Sequence, residues 1–184
     1  LSEHESIYRF LYLPSFGRPV CIRLNFTHTD DDILITLKLS NGRGGVERGS
    51  LIYQETKLLS KDNLIDFISL IDDMDFWDTP THGSRELLSL DGAEYILEAR
   101  SKGTYHIVTR TSPTLEYSDD FKEQAAEVGV AIDFKALEAF NLQYLKLVDW
   151  MARFFDLKAI QDLRIERQID TSALPSGSNA ADNE

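Results

Sequence analysis

Hydrophobic and polar residues alternate with a period of two through the first third of the chain. Successive side chains of a strand point to opposite faces, so this alternation predicts strands that each bury one face. Turn-forming residues separate the alternating stretches and keep the connections short. The pattern predicts an antiparallel meander of four strands, bounded by Ile7 to Leu13, Pro19 to Thr29, Ile33 to Leu39 and Leu51 to Leu59.

Two later segments space their apolar residues as helices do. Ser60 has the character of an N-cap, and apolar residues follow it at intervals of three and four, which predicts a helix over residues 60–74. The same spacing recurs over residues 133–157 and predicts a long amphipathic helix that packs on the sheet. Residues 118–129 are a candidate for a shorter acidic helix.

A central β-hairpin is predicted between Ala93 and Ser112. Either a three-residue loop, Ser101-Lys102-Gly103, or a two-residue loop, Lys102-Gly103, can join its strands. The three-residue loop is preferred because it places opposite charges across the strands, whereas the shorter loop shifts the register by one and breaks both pairs. These pairs are Glu94 with Arg110 and Glu98 with His106. In this register the core-facing side chains are expected to be Tyr95, Leu97, Tyr105 and Ile107.

These elements predict an α+β fold. An antiparallel sheet of about six strands combines the N-terminal meander with the hairpin at 93–112, and the helices at 60–74 and 133–157 pack on it. The chain length suits one domain, which we place at residues 1–169. Residues 170–184 are small and polar, with almost nothing to bury, and are expected to form a flexible tail.

The negative charge of the chain is concentrated in two stretches. The net charge is −12, and residues 60–91 hold eight acids against two bases, while residues 118–138 hold six against two. An acidic surface repels nucleic-acid phosphates and favours encounter with a basic protein. We therefore expect a protein partner, no nucleic acid, and a partner-binding surface that includes Asp72, Asp73, Asp75, Asp78, Asp119, Asp120 and Glu123.

Catalytic signals are weak by comparison. The hairpin residues Glu94, Glu98, His106 and Arg110 are a polar cluster that carries groups suited to acid–base work, but cross-strand ion pairs are the favoured interpretation. No catalytic residue is assigned. The four histidines are too widely spaced for a metal site, and no cofactor is expected. No apolar run is long enough to span a membrane.

Two strings around the hairpin carry a family resemblance. They read Leu90-Asp91-Gly92-Ala93-Glu94-Tyr95-Ile96-Leu97-Glu98 and Tyr105-His106-Ile107-Val108-Thr109-Arg110-Thr111-Ser112-Pro113. Together they resemble the signature of an uncharacterised family of small bacterial proteins, some of which look exported or lipoprotein-like. In that signature Tyr95 stands where a tryptophan is usual. The resemblance implies no activity and no catalytic residues.

The function expected from these features is protein binding. Its most concrete form is an immunity protein that neutralises a toxin or effector of a competing bacterium, the toxin offering a basic site. The alternatives are an enzyme of unknown reaction that uses the hairpin cluster, and a structural protein of the cell envelope. Because the chain begins at Leu1 rather than Met, a removed signal peptide is considered and the periplasm is slightly favoured over the cytoplasm. The oligomeric state is left open.

Overall fold

A computed structural model of the chain describes residues 5–27, 33–43, 47, 49–81, 92–111, 122–123 and 134–156. Its strands and helices follow the predicted order closely. The strands are β1 (Glu5–Pro14), β2 (Val20–Thr27), β3 (Ile33–Ser40), β4 (Leu51–Leu59), β5 (Ala93–Ser101) and β6 (Thr104–Thr111). The helices are α1 (Lys61–Asp73) and α2 (Phe134–Ala152). The candidate helix at 118–129 lies outside the described residues, except for residues 122–123.

The six strands form one antiparallel sheet in the order β4-β3-β2-β1-β5-β6. The first four strands pair in sequence, which confirms the predicted meander. The hairpin then adds to the free edge of the meander, so that β5 lies against β1. This arrangement confirms the predicted α+β class with a six-stranded sheet.

Both helices pack on the face of the sheet that carries Tyr8 and Phe10. Tyr8 meets Phe67 of α1 edge to face, with 4.8 Å between ring centroids. Phe67 in turn contacts Trp150 of α2 at 5.2 Å, so the two helices share one aromatic core. All four side chains are 5% exposed or less, as is usual for the aromatic residues that dominate a core. We call this side the helix face and the opposite side the outer face.

Helix α1 begins where the sequence pattern places it. Ser60 accepts a hydrogen bond from the backbone N–H of Asn63 at 3.2 Å, and the Asn63 side chain accepts one from the backbone N–H of Ser60 at 3.2 Å. This reciprocal pair is a capping box, with asparagine in the place usually taken by Glu or Gln. It satisfies two backbone donors that the first turn would otherwise leave open.

The predicted hairpin register is wrong. Ser101 pairs with Thr104, so the loop is the two-residue Lys102-Gly103, and both loop residues have positive φ, 50° and 79°. Two successive positive φ angles define a type I′ turn, whose twist matches that of the strands it joins. Tyr95 and Leu97 face the helices as expected, but Tyr105 and Ile107 turn outward, and the helix-face positions of β6 are His106, Val108 and Arg110.

The two edge strands both place a cation on the helix face. On β4, Lys57 donates to the backbone carbonyl of Phe154, beyond the C-terminus of α2, at 2.5 Å. On β6, the Arg110 guanidinium lies 4.3 Å from the centroid of the Phe140 ring of α2. An inward-pointing charge on an edge strand discourages pairing with another strand, because such pairing would have to accommodate or desolvate it.

Backbone contacts divide the chain into two compact units, Leu1–Phe154 and Phe155–Glu184. The first contains all the helices and strands named above. Of the second, the structure describes only residues 155–156. The predicted tail at 170–184 therefore lies outside the described residues, and the predicted domain boundary stays a prediction. Among the described helices, none is long and apolar enough to cross a membrane.

Candidate functional site

A groove of about 660 Å³ opens on the helix face between α1 and the tip of the hairpin. We call it the acidic groove. Pockets of a few hundred cubic ångströms are the usual size for a bound ligand or an inserted side chain. Its lining combines apolar residues from α1 and the sheet with polar ones from the hairpin tip: Tyr8, Phe26, Leu64, Ile68, Ile71, Asp72, Trp77, Asp78, Ser101, Lys102, Thr104, Tyr105 and His106.

The acidic side of the groove is built by the end of α1. The backbone N–H of Phe76 donates to the Ile71 carbonyl at 3.2 Å, and that of Asp75 donates to the Asp72 carbonyl at 2.9 Å. Asp75 has a φ of 50°. These two bonds around a left-handed residue form a Schellman motif, which reverses the chain sharply at the helix end. The reversal brings Asp72 and Asp78 to the same groove.

Four predicted partner-binding residues meet at this turn, and all four are exposed: Asp72, Asp73, Asp75 and Asp78. Within the described part of the chain, none of their carboxylates forms an ion pair. The last turn of α1 holds no basic residue, so Asp72 and Asp73 lie unbalanced at the negative end of the helix dipole. This arrangement lowers helix stability, and a cation from outside would reverse the penalty.

The remaining predicted acids are not brought to the turn by any described contact. Glu123 is exposed in the short described stretch 122–123, and Asp119 and Asp120 lie outside the described residues. Their part in partner binding stays a prediction.

Aromatic rings form the floor of the acidic groove. The Tyr8 ring stacks nearly parallel to Phe26 at 6.1 Å and meets Trp77 edge to face at 6.3 Å. Burial, followed by the charge of Asp72, raises the pKa of Tyr8 to about 12, while hydrogen bonds with the side chains of Trp77 and Ser101 act in the opposite direction. Tyr8 is therefore a neutral, fixed part of the groove at ordinary pH.

His106 lines the groove from β6. Its Nε2 lies 2.9 Å from the carbonyl oxygen of Thr79, which can only accept, so Nε2 carries the proton. The ring packs edge to face on Phe76 at 5.0 Å. Because Nε2 is held by the chain, the neutral imidazole has only Nδ1 left to accept a hydrogen bond from a ligand.

The predicted hairpin cluster is split between the two faces of the sheet. Glu94 and Glu98 lie on the outer face, whereas His106 and Arg110 lie on the helix face, so neither predicted pair forms. Glu98 instead binds Arg9 at 2.5 Å and accepts a hydrogen bond from the Tyr105 hydroxyl at 3.1 Å. Arg110 donates to the Thr109 carbonyl at 2.7 Å and to the Pro80 carbonyl at 3.5 Å. The four residues do not converge on one cavity.

Sequence reasoning missed the groove residues contributed by strands. Tyr8 lies beside the hairpin residues of the groove because β5 pairs with β1. These strands are far apart in the chain, so no local sequence pattern predicts their pairing. Trp77 carried a usable signal, since it is an aromatic residue inside the acidic stretch. His106 belongs to the predicted hairpin cluster, but its predicted partner Glu98 lies on the opposite face of the sheet.

No family model matches the chain, and no curated protein matches it. The described residues contain no group of three or more His, Cys, Asp or Glu side chains placed to hold a metal ion. The groove itself therefore provides the argument about function.

Proposed function

We propose that this protein is a protein-binding module whose acidic groove receives a basic side chain of its partner. The observation that carries the proposal is the meeting of Asp72 and Asp78 on the rim of a groove floored by Tyr8 and Trp77. Carboxylates attract a Lys or Arg head group, and the half-buried Trp77 ring stabilises it further through a cation–π contact.

The positions of these aspartates favour a role in partner binding over a purely solubilising role. Acidic residues that serve only solubility can lie anywhere on the surface. Asp72 and Asp73 instead lie at the end of α1 where negative charge is unfavourable. A bound cation would neutralise that repulsion, so part of the binding free energy would come from relief of an existing penalty. Residues that reduce stability in the free protein commonly serve function.

Charges of opposite sign on the two sides of the groove would orient a bound side chain. Lys102 lies at the hairpin tip and Asp72 lies on α1, and both line the same groove. A cationic side chain is repelled from the hairpin tip and attracted to the helix end. A partner segment with a basic residue followed by a hydroxyl or acidic residue would match both ends.

We further propose that the partner is a toxin or effector of a competing bacterium, which makes the protein an immunity protein. A basic catalytic or nucleic-acid-binding site on a toxin is complementary to this groove in charge. The enzyme alternative is not favoured by any specific observation, because its four candidate residues lie on two faces of the sheet.

Co-expression tests the immunity proposal. The product of the neighbouring gene is expressed in a sensitive host alone, with the wild-type protein, and with the D72N/D78N variant. Growth arrest by that product, rescue by the wild type and loss of rescue by D72N/D78N are the expected results. The D62N variant is the matched control, since Asp62 lies in the first turn of α1 and should leave rescue intact. A non-toxic product, or equal rescue by D72N/D78N, contradicts the proposal.

A further inference from the structure

Phe16 is the most exposed of the large apolar side chains that the structure describes, at 84%. It lies in the turn between β1 and β2, and this turn is fixed to the chain that precedes β5. The backbone N–H and the hydroxyl of Ser15 both donate to the Gly92 carbonyl, at 2.9 and 2.7 Å. The N–H of Gly17 donates to the Pro14 carbonyl at 3.5 Å, which closes the turn. The backbone that carries the ring therefore loses little freedom when a partner covers it.

A groove of about 450 Å³ opens at the same end of the sheet. We call it the apolar groove, because most of its lining is aliphatic: Leu11, Leu13, Pro19, Val20, Leu39 and Leu51. Its floor is on the outer face, where Leu11, Cys21 and Lys38 lie side by side in the strand register. Leu13 and Pro19 flank the turn that carries Phe16, but Phe16 does not line the groove. The exposed ring therefore does not fill the groove of its own chain.

The charged side chains of the apolar groove are one cation and one anion, Lys38 and Glu47. Neither forms an ion pair with a described residue. Glu47 is held in the loop between β3 and β4, where its backbone N–H donates to the Arg43 carbonyl at 2.9 Å. In a two-fold dimer the same surface of both copies meets, so each contact occurs twice with the roles exchanged. A surface that carries a protruding ring beside a groove, and a cation beside an anion, is complementary to itself.

We propose that the apolar groove binds a second copy of this chain, in a two-fold dimer in which Phe16 of each copy inserts into the groove of the other. Lys38 of each copy then faces Glu47 of the other. An aromatic side chain that fills a partner's pocket is the kind of contact that dominates the affinity of an interface. The dimer covers the outer face at one end of the sheet, so it is independent of the acidic groove on the helix face.

Sedimentation velocity of the full chain under reducing conditions, over a series of protein concentrations, measures the monomer–dimer equilibrium. The wild type should dimerise as its concentration rises. F16A removes two buried rings per dimer and should raise the dimer dissociation constant at least about a hundredfold. Because Phe16 is exposed in the single chain, F16A should leave the free energy of unfolding of the monomer unchanged. I65A is the matched control, since Ile65 is 67% exposed on α1, and it should leave the equilibrium unchanged.

Mixing two variants tests the insertion of the ring into the groove. L51E puts a charge into the groove at an exposed position and keeps Phe16, whereas F16A keeps the groove and loses the ring. Each variant alone should be largely monomeric, and the mixture should form heterodimers through one intact ring–groove contact, weaker than the wild-type dimer. The charges are tested in the same way: K38E and E47K should each weaken the dimer, and K38E/E47K, which exchanges the two charges, should dimerise better than either.

Cys21 reports on the groove itself, because it is the single cysteine of the chain and lines the groove. Its alkylation by iodoacetamide should slow as the concentration of the wild type rises, and should not slow in F16A. A wild type that stays monomeric, an F16A variant that dimerises as well as the wild type, or a mixture that forms no heterodimer would overturn the proposal. Protection of Cys21 in a monomeric wild type by acetyl-Ser-Phe-Gly-amide would also overturn it, and would make the occupant an aromatic segment of another protein.

Discussion

Removing two acids from the end of α1 should stabilise the protein. Asp72 and Asp73 lie in the last turn, where the carbonyl ends of the helix already carry partial negative charge, and no basic residue balances them. Both side chains are exposed and form no ion pair with the described residues. The D72N/D73N substitution therefore removes repulsion without breaking a described side-chain contact.

The size of the effect follows from the helix dipole. Each charge near a helix end contributes about 0.3–1 kcal/mol at low ionic strength, so the double variant should gain roughly 0.6–2 kcal/mol. For a protein of this length, that gain corresponds to a rise in Tm of roughly 1–8 °C. The gain should shrink at high salt, because exposed charges are screened.

Thermal and urea denaturation at low and high salt measure this change. Asp62 supplies the matched control, because it lies in the first turn of the same helix, where negative charge is favourable. D62N should lower Tm while D72N/D73N raises it. A fall in Tm for D72N/D73N, or a shift of the same sign for both variants, would refute the dipole argument and the claim that the acidic turn reduces stability.

Three further predictions concern the hairpin turn, the groove floor and the core. G103A places a Cβ on a residue with a φ of 79° and should cost about 1 kcal/mol in urea denaturation, whereas K102N creates the Asn-Gly pair preferred in type I′ turns and should be neutral or stabilising; equal tolerance of both would contradict the two-residue turn. Because the folded state holds the Tyr8 proton more tightly than the unfolded state, with a pKa of about 12 against 10, its contribution is complete below pH 10 and is lost as the pH rises through 12. Y8F should therefore lose less stability than the wild type between these pH values, and identical pH profiles would refute this. F67A removes a fully buried ring between Tyr8 and Trp150 and should cost about 3–5 kcal/mol in denaturation; a loss below about 1 kcal/mol would contradict the described core.

Much of the fold could be predicted because most of its strands and helices have clear local sequence patterns. The strands of the meander alternate clearly, and Ser60 carries the hydrogen-bonding group that an N-cap needs. The hairpin register could not be chosen in the same way. Strand β6 places Ile107 outward and Val108 inward, so its apolar pattern does not distinguish the two faces. Opposite charges then favoured a register that the Lys102-Gly103 turn excludes.

The candidate site was predictable only where it is contiguous in sequence. The aspartates between residues 72 and 78 lie in one short stretch, and their density alone indicated an acidic surface. The groove beside them depends on Tyr8 and His106, which come from strands far apart in the chain. Their meeting requires β5 to lie beside β1, and that neighbour relation arises from how the hairpin completes the sheet.

Binding of a basic residue in the acidic groove can be measured with a short peptide that carries a single arginine. Acetyl-Gly-Arg-Gly-amide is titrated into the wild-type protein and into D72N/D78N, with calorimetry and tryptophan fluorescence as readouts, and acetyl-Gly-Glu-Gly-amide serves as the control peptide. Trp77 lines the groove, and the W150F variant isolates its signal. We expect salt-sensitive binding of the arginine peptide alone, weakened about tenfold or more in D72N/D78N. Equal binding of both peptides, or an affinity that D72N/D78N leaves unchanged, would contradict it.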